Sequence, residues 1–214
     1  MIHSVIRHID QLNKAIGHAF AWCIVILILG ISFEVFMRYA LNAPTSWAFD
    51  FSFILYGSLF LMSGAYTLSR GGHVRADIFY RTWKPRNQAR LELFLYFIFY
   101  FPGVLALVFA GWQYGSDAMR IREVSVNSPV GVPIWPLKML IPVAGVLLTL
   151  QGIAEVLRCV LCLKTGQWPA RLHDVEEMED ALQHSPEAAA AAAGIAAMAV
   201  PPASNQNNNS GARS

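Results

Sequence analysis

Four long apolar stretches, at about residues 15–35, 47–68, 91–115 and 134–163, constrain the fold of this chain more than any other feature. A helix needs about 20 apolar residues to cross the hydrocarbon core of a bilayer, and each stretch reaches that length. Because lipid offers no water to the backbone, each stretch must satisfy its own peptide groups, which favours helices. Only 14% of the residues are charged, against roughly 25% in soluble domains. The sequence therefore predicts an all-α integral membrane protein with four transmembrane helices.

The distribution of positive charge predicts how these helices are oriented. Twelve of the 16 lysines and arginines lie before the first stretch, between the second and third, or from the end of the fourth onward. Short cytoplasmic segments of membrane proteins carry such an excess of Lys and Arg. We therefore expect a multi-pass protein with both termini in the cytoplasm. The links near residues 42–44 and 125–133 are expected on the other side.

The link at residues 69–90 has a pattern of its own. Val74, Ile78, Phe79 and Trp83 recur near helical spacing, and basic residues lie between them. An apolar stripe flanked by basic side chains is typical of a helix that lies in the membrane interface against anionic headgroups. We expect a basic amphipathic interfacial helix here, with phospholipid as its partner. An irregular polar loop is the alternative.

These patterns divide the chain into three parts. Residues 1–14 are expected to form a cytoplasmic N-terminal segment that lengthens the first span, and residues 15–163 a four-span membrane domain. Residues 164–214 are expected to form a cytoplasmic tail, which has acidic residues, an alanine run and an end rich in Asn, Gln and Ser. Such a composition is typical of disorder, so we expect most of the tail to be disordered.

The motifs of common enzymes are absent from this sequence. It contains no nucleophile elbow, phosphate loop, zinc-protease motif or dinucleotide fingerprint. Cys159 and Cys162 form a C-x-x-C without a second ligand pair, and no two histidines stand paired within the spans. His73 and Asp77 are four apart, but two ligands do not make a metal site. We therefore predict no enzyme, no metal or other cofactor and, at a net charge of +2, no nucleic-acid partner.

A group of polar residues near the end of the first span predicts structural contacts. Glu34 and Arg38 are four apart and can pair along one helix face. Asp50 falls in the first turn of the second span, where a helix N-terminus favours negative charge. With Trp47, these residues are expected to hold the first two spans together around the 42–44 turn, or to form a docking surface for a partner.

The interiors of the spans contain few charged residues, and small residues recur there. Glu155 and Arg158 can pair at i, i+3 near the end of the fourth span, but few other ionisable residues lie within the stretches. A proton or ion pathway built from this chain alone is therefore not predicted. Small residues recur in the spans, as at Gly111, Gly145 and Gly152, and permit close approach of helices.

Three segments of the sequence carry a family resemblance. The first reads Glu34-x-x-x-Arg38-Tyr39-x-x-Asn42-x-Pro44-x-x-Trp47, with an acid at Asp50. The second reads Arg70-Gly71-Gly72-His73-Val74-Arg75-Ala76-Asp77. The third reads Val132-Pro133-x-Trp135, followed by Pro142. In this order on four spans, they resemble the small membrane subunit of tripartite ATP-independent periplasmic (TRAP) transporters, the DctQ-like family, which more often has Glu where Asp50 stands. The resemblance covers most of residues 15–160.

The resemblance implies a scaffold subunit in the bacterial inner membrane. Such a subunit pairs with a much larger membrane subunit, which moves substrate and sodium by an elevator-type motion. A periplasmic binding protein, a transient partner, delivers the substrate, usually an organic acid. On the periplasmic side, the expected structural and interaction residues are Glu34, Arg38, Asn42, Trp47 and Asp50. In the cytoplasmic interfacial turn, they are Arg70, His73, Arg75 and Asp77.

Two other functions fit a small four-span protein. A membrane anchor of a respiratory enzyme complex would carry haem or quinone ligands. An independent small transporter or channel would move solute without any partner. If the chain is a scaffold subunit, the substrate site lies in other chains, and C4-dicarboxylates, 2-oxo acids and sugar acids all remain open as substrates.

Overall fold

The computed structural model describes residues 2–71, 83–127 and 129–169, all within the first of the two units into which the chain divides, Met1–His173. Within these ranges the chain forms helices joined by short links, and no strand longer than a single bridge, Val124 to Pro133, is present. The helices are α1 (Ile2–Ala40), α2 (Ala48–Ser69), α3 (Pro85–Leu95), α4 (Phe101–Arg120) and α5 (Trp135–Thr165).

A π-helical turn, Tyr96–Tyr100, joins α3 to α4, so that Pro85–Arg120 is one continuous span. The described residues thus contain four helices long and apolar enough to cross a membrane, which confirms the predicted all-α class. The expected interfacial helix falls mainly on residues 72–82, outside the described residues. The tail from residue 170 onward also lies outside them.

The two ends of the bundle are called the Pro44 side and the Pro85 side, each after a proline that lies there. The Pro44 side carries the links at residues 41–47 and 121–134. The Pro85 side carries the start of α1, the end of α2, the start of α3 and the end of α5.

Helix α5 is the central helix of the bundle. It packs against α1, α2, α3 and α4, and a small core of Met62, Ala65, Ala144 and Leu147 lies between α2 and α5. In its most apolar window, 44% of the residues are buried, against none in α1 and 6% in Pro85–Arg120. The outer helices therefore present most of their apolar surface to the surroundings.

Small residues allow α4 and α5 to approach closely. A Cβ built on Gly111 would lie 2.8 Å from Cγ2 of Ile141, and one on Gly145 would lie 2.7 Å from Cγ2 of Val108. Both distances are shorter than a normal carbon contact, so neither position accepts a side chain without displacement of its neighbour. Gly103, also on α4, has nothing within 4 Å. Only some of the small residues in the spans therefore define helix contacts.

Pro102 explains the π-helical turn, which hydropathy alone does not predict. Proline has no N–H and its ring crowds the carbonyl four residues earlier, here that of Ile98. A π-helical turn adds one residue to the helix and relieves this conflict. Pro142 in α5 has the same relation to Lys138, and the Lys138 carbonyl oxygen lies 3.2 Å from the Cβ position of Gly115. The glycine leaves room for that carbonyl.

Candidate interaction sites at the two ends of the bundle

On the Pro44 side, Glu34 of α1 fixes the link that leads to α2. Its Oε1 accepts hydrogen bonds from Nε of Arg38 at 3.1 Å and from Nη2 at 2.6 Å. Its Oε2 accepts from the backbone N–H of Thr45 at 3.0 Å and from the Thr45 hydroxyl. The Glu34 side chain is 12% exposed and that of Arg38 is 54% exposed. The pair predicted from the i, i+4 spacing is therefore present, and its cation remains accessible at the surface.

The same link contains a left-handed residue and an aromatic contact. Asn42 is exposed and has a φ of 52°, a region that Asn adopts more readily than most residues. The Trp47 ring stacks on Phe33 of α1 at 6.4 Å between centroids and meets Phe51 of α2 edge-on at 5.6 Å. Glu34 and Trp47 together join α1 to α2 at this end.

Asp50 contacts a different part of the chain. It is 3% exposed in the first turn of α2, and its Oδ1 accepts a hydrogen bond from the Ser125 hydroxyl at 2.6 Å. Its Oδ2 is buried and has no hydrogen-bond partner within residues 2–71, 83–127 and 129–169. Ser125 lies in the 121–134 link, so Asp50 fastens α2 to that link. Two acids, Glu34 and Asp50, are expected to join the first two spans. In the described residues Glu34 does so, whereas Asp50 joins α2 to the 121–134 link.

A second ion pair on the Pro44 side joins the 121–134 link to α5. Nζ of Lys138 lies 2.6 Å from Oε1 and 2.5 Å from Oε2 of Glu123. The same ammonium lies 4.1 Å from the centroid of the Tyr114 ring on α4. The 121–134 link, α4 and α5 thus meet at Lys138.

On the Pro85 side, a network of charged and amide side chains is buried between α1 and α5. Arg158 donates to Asp10 of α1 and to Glu155, and these three residues are 1%, 4% and 0% exposed. The Gln151 amide donates to Oδ1 of Asp10 at 3.0 Å and to Oε1 of Glu155 at 3.4 Å, and accepts from Asn13 at 2.7 Å. Buried charges are tolerated when they are paired and hydrogen-bonded in this way.

Sequence spacing predicts the Glu155–Arg158 pair of this network, and the structure confirms it. Asp10, Asn13 and Gln151 are absent from the sequence-based candidates, although a signal for the first two exists. The buried residues of α1 recur at steps of four, three and four, which is one face of a helix, and they are Ile6, Asp10, Asn13 and Gly17. Polar residues on such a face, directly before an apolar run, indicate a partner helix.

Helix α3 packs on the end of α5 through small and polar groups. Ala89, Cys159 and Cys162 are all 0% exposed and form one cluster. The thiol of Cys159 donates to Oε2 of Glu92 at 3.6 Å, and that of Cys162 to the Pro85 carbonyl at 3.6 Å. Both cysteines are free and occupy positions of small buried residues.

Arg70 lies at the end of α2. Its guanidinium carbon is 5.3 Å from the centroid of the Tyr66 ring, and the same ring meets His18 of α1 edge-on at 5.4 Å. Arg70 therefore lies against Tyr66, the ring that contacts α1 on the Pro85 side. The other residues expected in the interfacial turn, His73, Arg75 and Asp77, lie outside the described residues.

Comparison with known proteins identifies the family. A search of curated proteins found no match. The sequence model of the family described as "Tripartite ATP-independent periplasmic transporters, DctQ component" matches residues 27–162, which is more than half of the chain. The matched region includes both ion pairs predicted from their spacing, Glu34–Arg38 and Glu155–Arg158, whereas Asp10 and Asn13 precede it. The chain, a multi-span membrane protein, therefore belongs to the DctQ family of TRAP transporter components, as its sequence resemblance predicts.

Proposed function

We propose that this chain is the small scaffold subunit of a sodium-coupled transporter that takes up organic acids delivered by a periplasmic binding protein. The family assignment supports a transporter component that works with a large membrane subunit and a binding protein. The scaffold role rests on how the chain uses its buried charges.

The buried charged side chains of the described residues hold elements of this chain together. Asp10 binds α5 through Arg158, Asp50 binds the 121–134 link, and Glu92 accepts from Cys159 of α5. Ionisable residues of a transport path face a water-filled cavity or a substrate. Charged side chains that are instead bonded to other parts of the same chain are more typical of a rigid support than of a carrier.

The outward surface of the bundle supports a partner within the membrane. Large apolar side chains on α1 and α4 are strongly exposed, with Trp22 and Phe109 at 68% and Tyr39 at 81%. Packing of complementary surfaces drives the association of helices in lipid, because lipid is as apolar as these side chains. We propose that the large subunit and lipid together cover this surface.

In the proposed orientation the Pro85 side and both termini face the cytoplasm, and the Pro44 side faces the periplasm. Glu34, Arg38, Asn42, Trp47 and Asp50 then shape the periplasmic end of the scaffold. The half-exposed guanidinium of Arg38, held in place by Glu34, is the group available there for contact with another subunit. Arg70, with the neighbouring His73, Arg75 and Asp77, belongs to the cytoplasmic turn.

Affinity purification from native membranes tests the assembly. The chain carries an affinity tag and is extracted in mild detergent. We expect a much larger multi-span membrane protein to be isolated with it. Reproducible isolation of the chain alone, from membranes that contain the candidate large subunit, would contradict the proposal.

Uptake into proteoliposomes tests which of the three subunits transport requires. We expect sodium-driven uptake of a carboxylate only when this chain, the large subunit and the loaded binding protein are all present. Arg38→Ala should reduce uptake or co-isolation and leave the affinity of the binding protein for its ligand unchanged. Arg120→Ala, which removes another exposed arginine of the Pro44 side, is the matched control and should have little effect. Uptake by this chain alone would show that it is a carrier.

A further inference from the structure

A cleft opens at the start of α3, where the membrane span Pro85–Arg120 begins. Its lining residues are all exposed, and they are Trp83, Lys84, Asn87 and Arg90. None of the ion pairs in the described part of the chain involves Lys84 or Arg90. The cleft therefore places two positive charges, neither of them in an ion pair within the described residues, beside an amide and an indole ring.

The walls of the cleft contact α5 and the segment that follows it. The buried Gln88 amide donates to the Trp83 carbonyl at 3.2 Å, and its Oε1 accepts from Nε1 of Trp168 at 2.9 Å. The Pro85 carbonyl accepts from the Cys162 thiol at 3.6 Å. The backbone at residues 83–85 is thus tied directly to Cys162 of α5 and, through the Gln88 side chain, to Trp168 in the segment after α5. A site on fixed backbone loses less entropy when it binds a ligand than a site on a mobile loop does.

An exposed apolar stripe continues from the cleft into the membrane span. Leu91 and Phe94 follow Asn87 by one and two helical turns, and they are 38% and 56% exposed. On the opposite face of the same helix, Ala89 and Glu92 are buried against α5. A cationic, hydrogen-bonding cleft above an apolar stripe complements a molecule with an anionic head and apolar tails.

We infer that this cleft binds the phosphate-bearing headgroup of an anionic phospholipid. Lys84 and Arg90 contact the phosphate, and the Asn87 amide donates a further hydrogen bond. Trp83 lies at headgroup level, where tryptophan is enriched in membrane proteins, and the acyl chains follow Leu91 and Phe94. Basic pockets of this kind on the cytoplasmic side recognise lipid headgroups. The inference requires that Pro85–Arg120 spans the membrane and does not depend on the scaffold role.

Native mass spectrometry of the purified full chain in detergent, titrated with phosphatidylglycerol, tests the site. The double variant Lys84→Gln, Arg90→Gln should raise the apparent dissociation constant at least about tenfold, because each basic residue near a headgroup contributes about fivefold. The control double variant Arg7→Gln, Lys164→Gln removes two exposed charges from the same side of the bundle, outside the cleft. Its effect should stay under about twofold. Equal effects of the two double variants would overturn the inference, since general electrostatic attraction would then explain binding.

Two competition arms separate a lipid from a free anion. Inorganic phosphate and the deacylated headgroup, glycerophosphoglycerol, are added at millimolar concentration to the lipid-loaded protein. We expect neither to displace the lipid, because neither can occupy the apolar stripe. Displacement by inorganic phosphate would overturn the assignment to a lipid and identify an anion site.

The Lys84 and Arg90 variants should fold normally, so that weaker lipid binding cannot be a consequence of misfolding. Lys84 and Arg90 are exposed and make no ion pair in the described structure, so the thermal unfolding midpoint should not change. If it does, the single variants Lys84→Gln and Arg90→Gln are titrated separately, and each should weaken binding about fivefold. Co-isolation with the large subunit, measured on the same variants, reports separately on the scaffold proposal.

Discussion

Arg158 binds two carboxylates, those of Asp10 and Glu155, where all three side chains are inaccessible to solvent. Both acids also accept a hydrogen bond from Gln151, which reduces the cost of holding two negative charges beside one positive charge. Removal of one member of a buried ion pair costs more than the pair contributes, because the partner is left buried and uncompensated. The guanidinium is therefore the member whose loss should matter most.

Arg158→Met should lower the free energy of unfolding by about 3–5 kcal/mol, because two carboxylates lose their counter-charge. Equilibrium unfolding of the detergent-solubilised chain, followed by circular dichroism, measures the change. Arg120→Met is the control, since Arg120 is exposed and should contribute little. Addition of Asp10→Asn and Glu155→Gln to Arg158→Met should restore much of the loss by removing the uncompensated charges. An unfolding free energy that is unchanged in Arg158→Met would contradict the described network.

The number of residues between two polar side chains determines whether their contact can be predicted from the sequence. The Glu34–Arg38 and Glu155–Arg158 pairs lie four and three residues apart, so helix geometry alone brings their side chains together. Asp10 and Arg158 are 148 residues apart, and Asp50 and Ser125 are 75 apart. Those contacts depend on which helices are neighbours, which no local pattern specifies.

At the scale of the helices, hydropathy predicts that spans exist but not where each one lies. The most apolar part of α1 is more apolar than that of α5, yet none of its residues is buried, against 44% in α5. In a bilayer the outward face is at least as apolar as the interior, so burial cannot be ranked from hydropathy. The small residues at Gly111 and Gly145 are a better indication that α4 and α5 are neighbours.

Gly111→Ala and Gly103→Ala should have opposite effects on stability. Both replacements favour the helix, by roughly 1 kcal/mol, because alanine restricts the unfolded backbone. At Gly111 the new Cβ meets Ile141 at 2.8 Å, and overpacking of this kind costs about 1–3 kcal/mol. At Gly103 the Cβ meets nothing within 4 Å, so only the favourable contribution remains. Unfolding midpoints of the two variants check the prediction, and equal stabilisation by both would argue against close packing of α4 on α5.

At the scale of the whole molecule, the orientation in the membrane can be measured. In a background with Cys23, Cys159 and Cys162 replaced by alanine, single cysteines are placed at Val126, which is 96% exposed, and at the exposed Gln167. A membrane-impermeant maleimide should label Val126→Cys in intact cells from the periplasmic side. Gln167→Cys should be labelled only after the inner membrane is opened, because the Pro85 side carries the excess of positive charge. The reverse pattern would invert the proposed topology.

The scaffold role predicts that the helices of this chain keep their positions while the large subunit moves. A cross-link between two of its own helices should then be harmless, whereas in a moving carrier it would stop transport. Gly145 and Val108 are the positions for such a cross-link between α5 and α4, because a Cβ on Gly145 would lie 3.4 Å from Cα of Val108. Val108→Cys also removes the Cγ2 atom that this Cβ would otherwise meet at 2.7 Å. In the same cysteine-free background, the complex with Gly145→Cys and Val108→Cys should transport equally fast when oxidised and when reduced.

Each single cysteine variant is the control for the effect of the substitution itself on transport. Transport that stops on oxidation and returns on reduction would show that α4 and α5 move against each other, and the chain would then be part of the moving machinery.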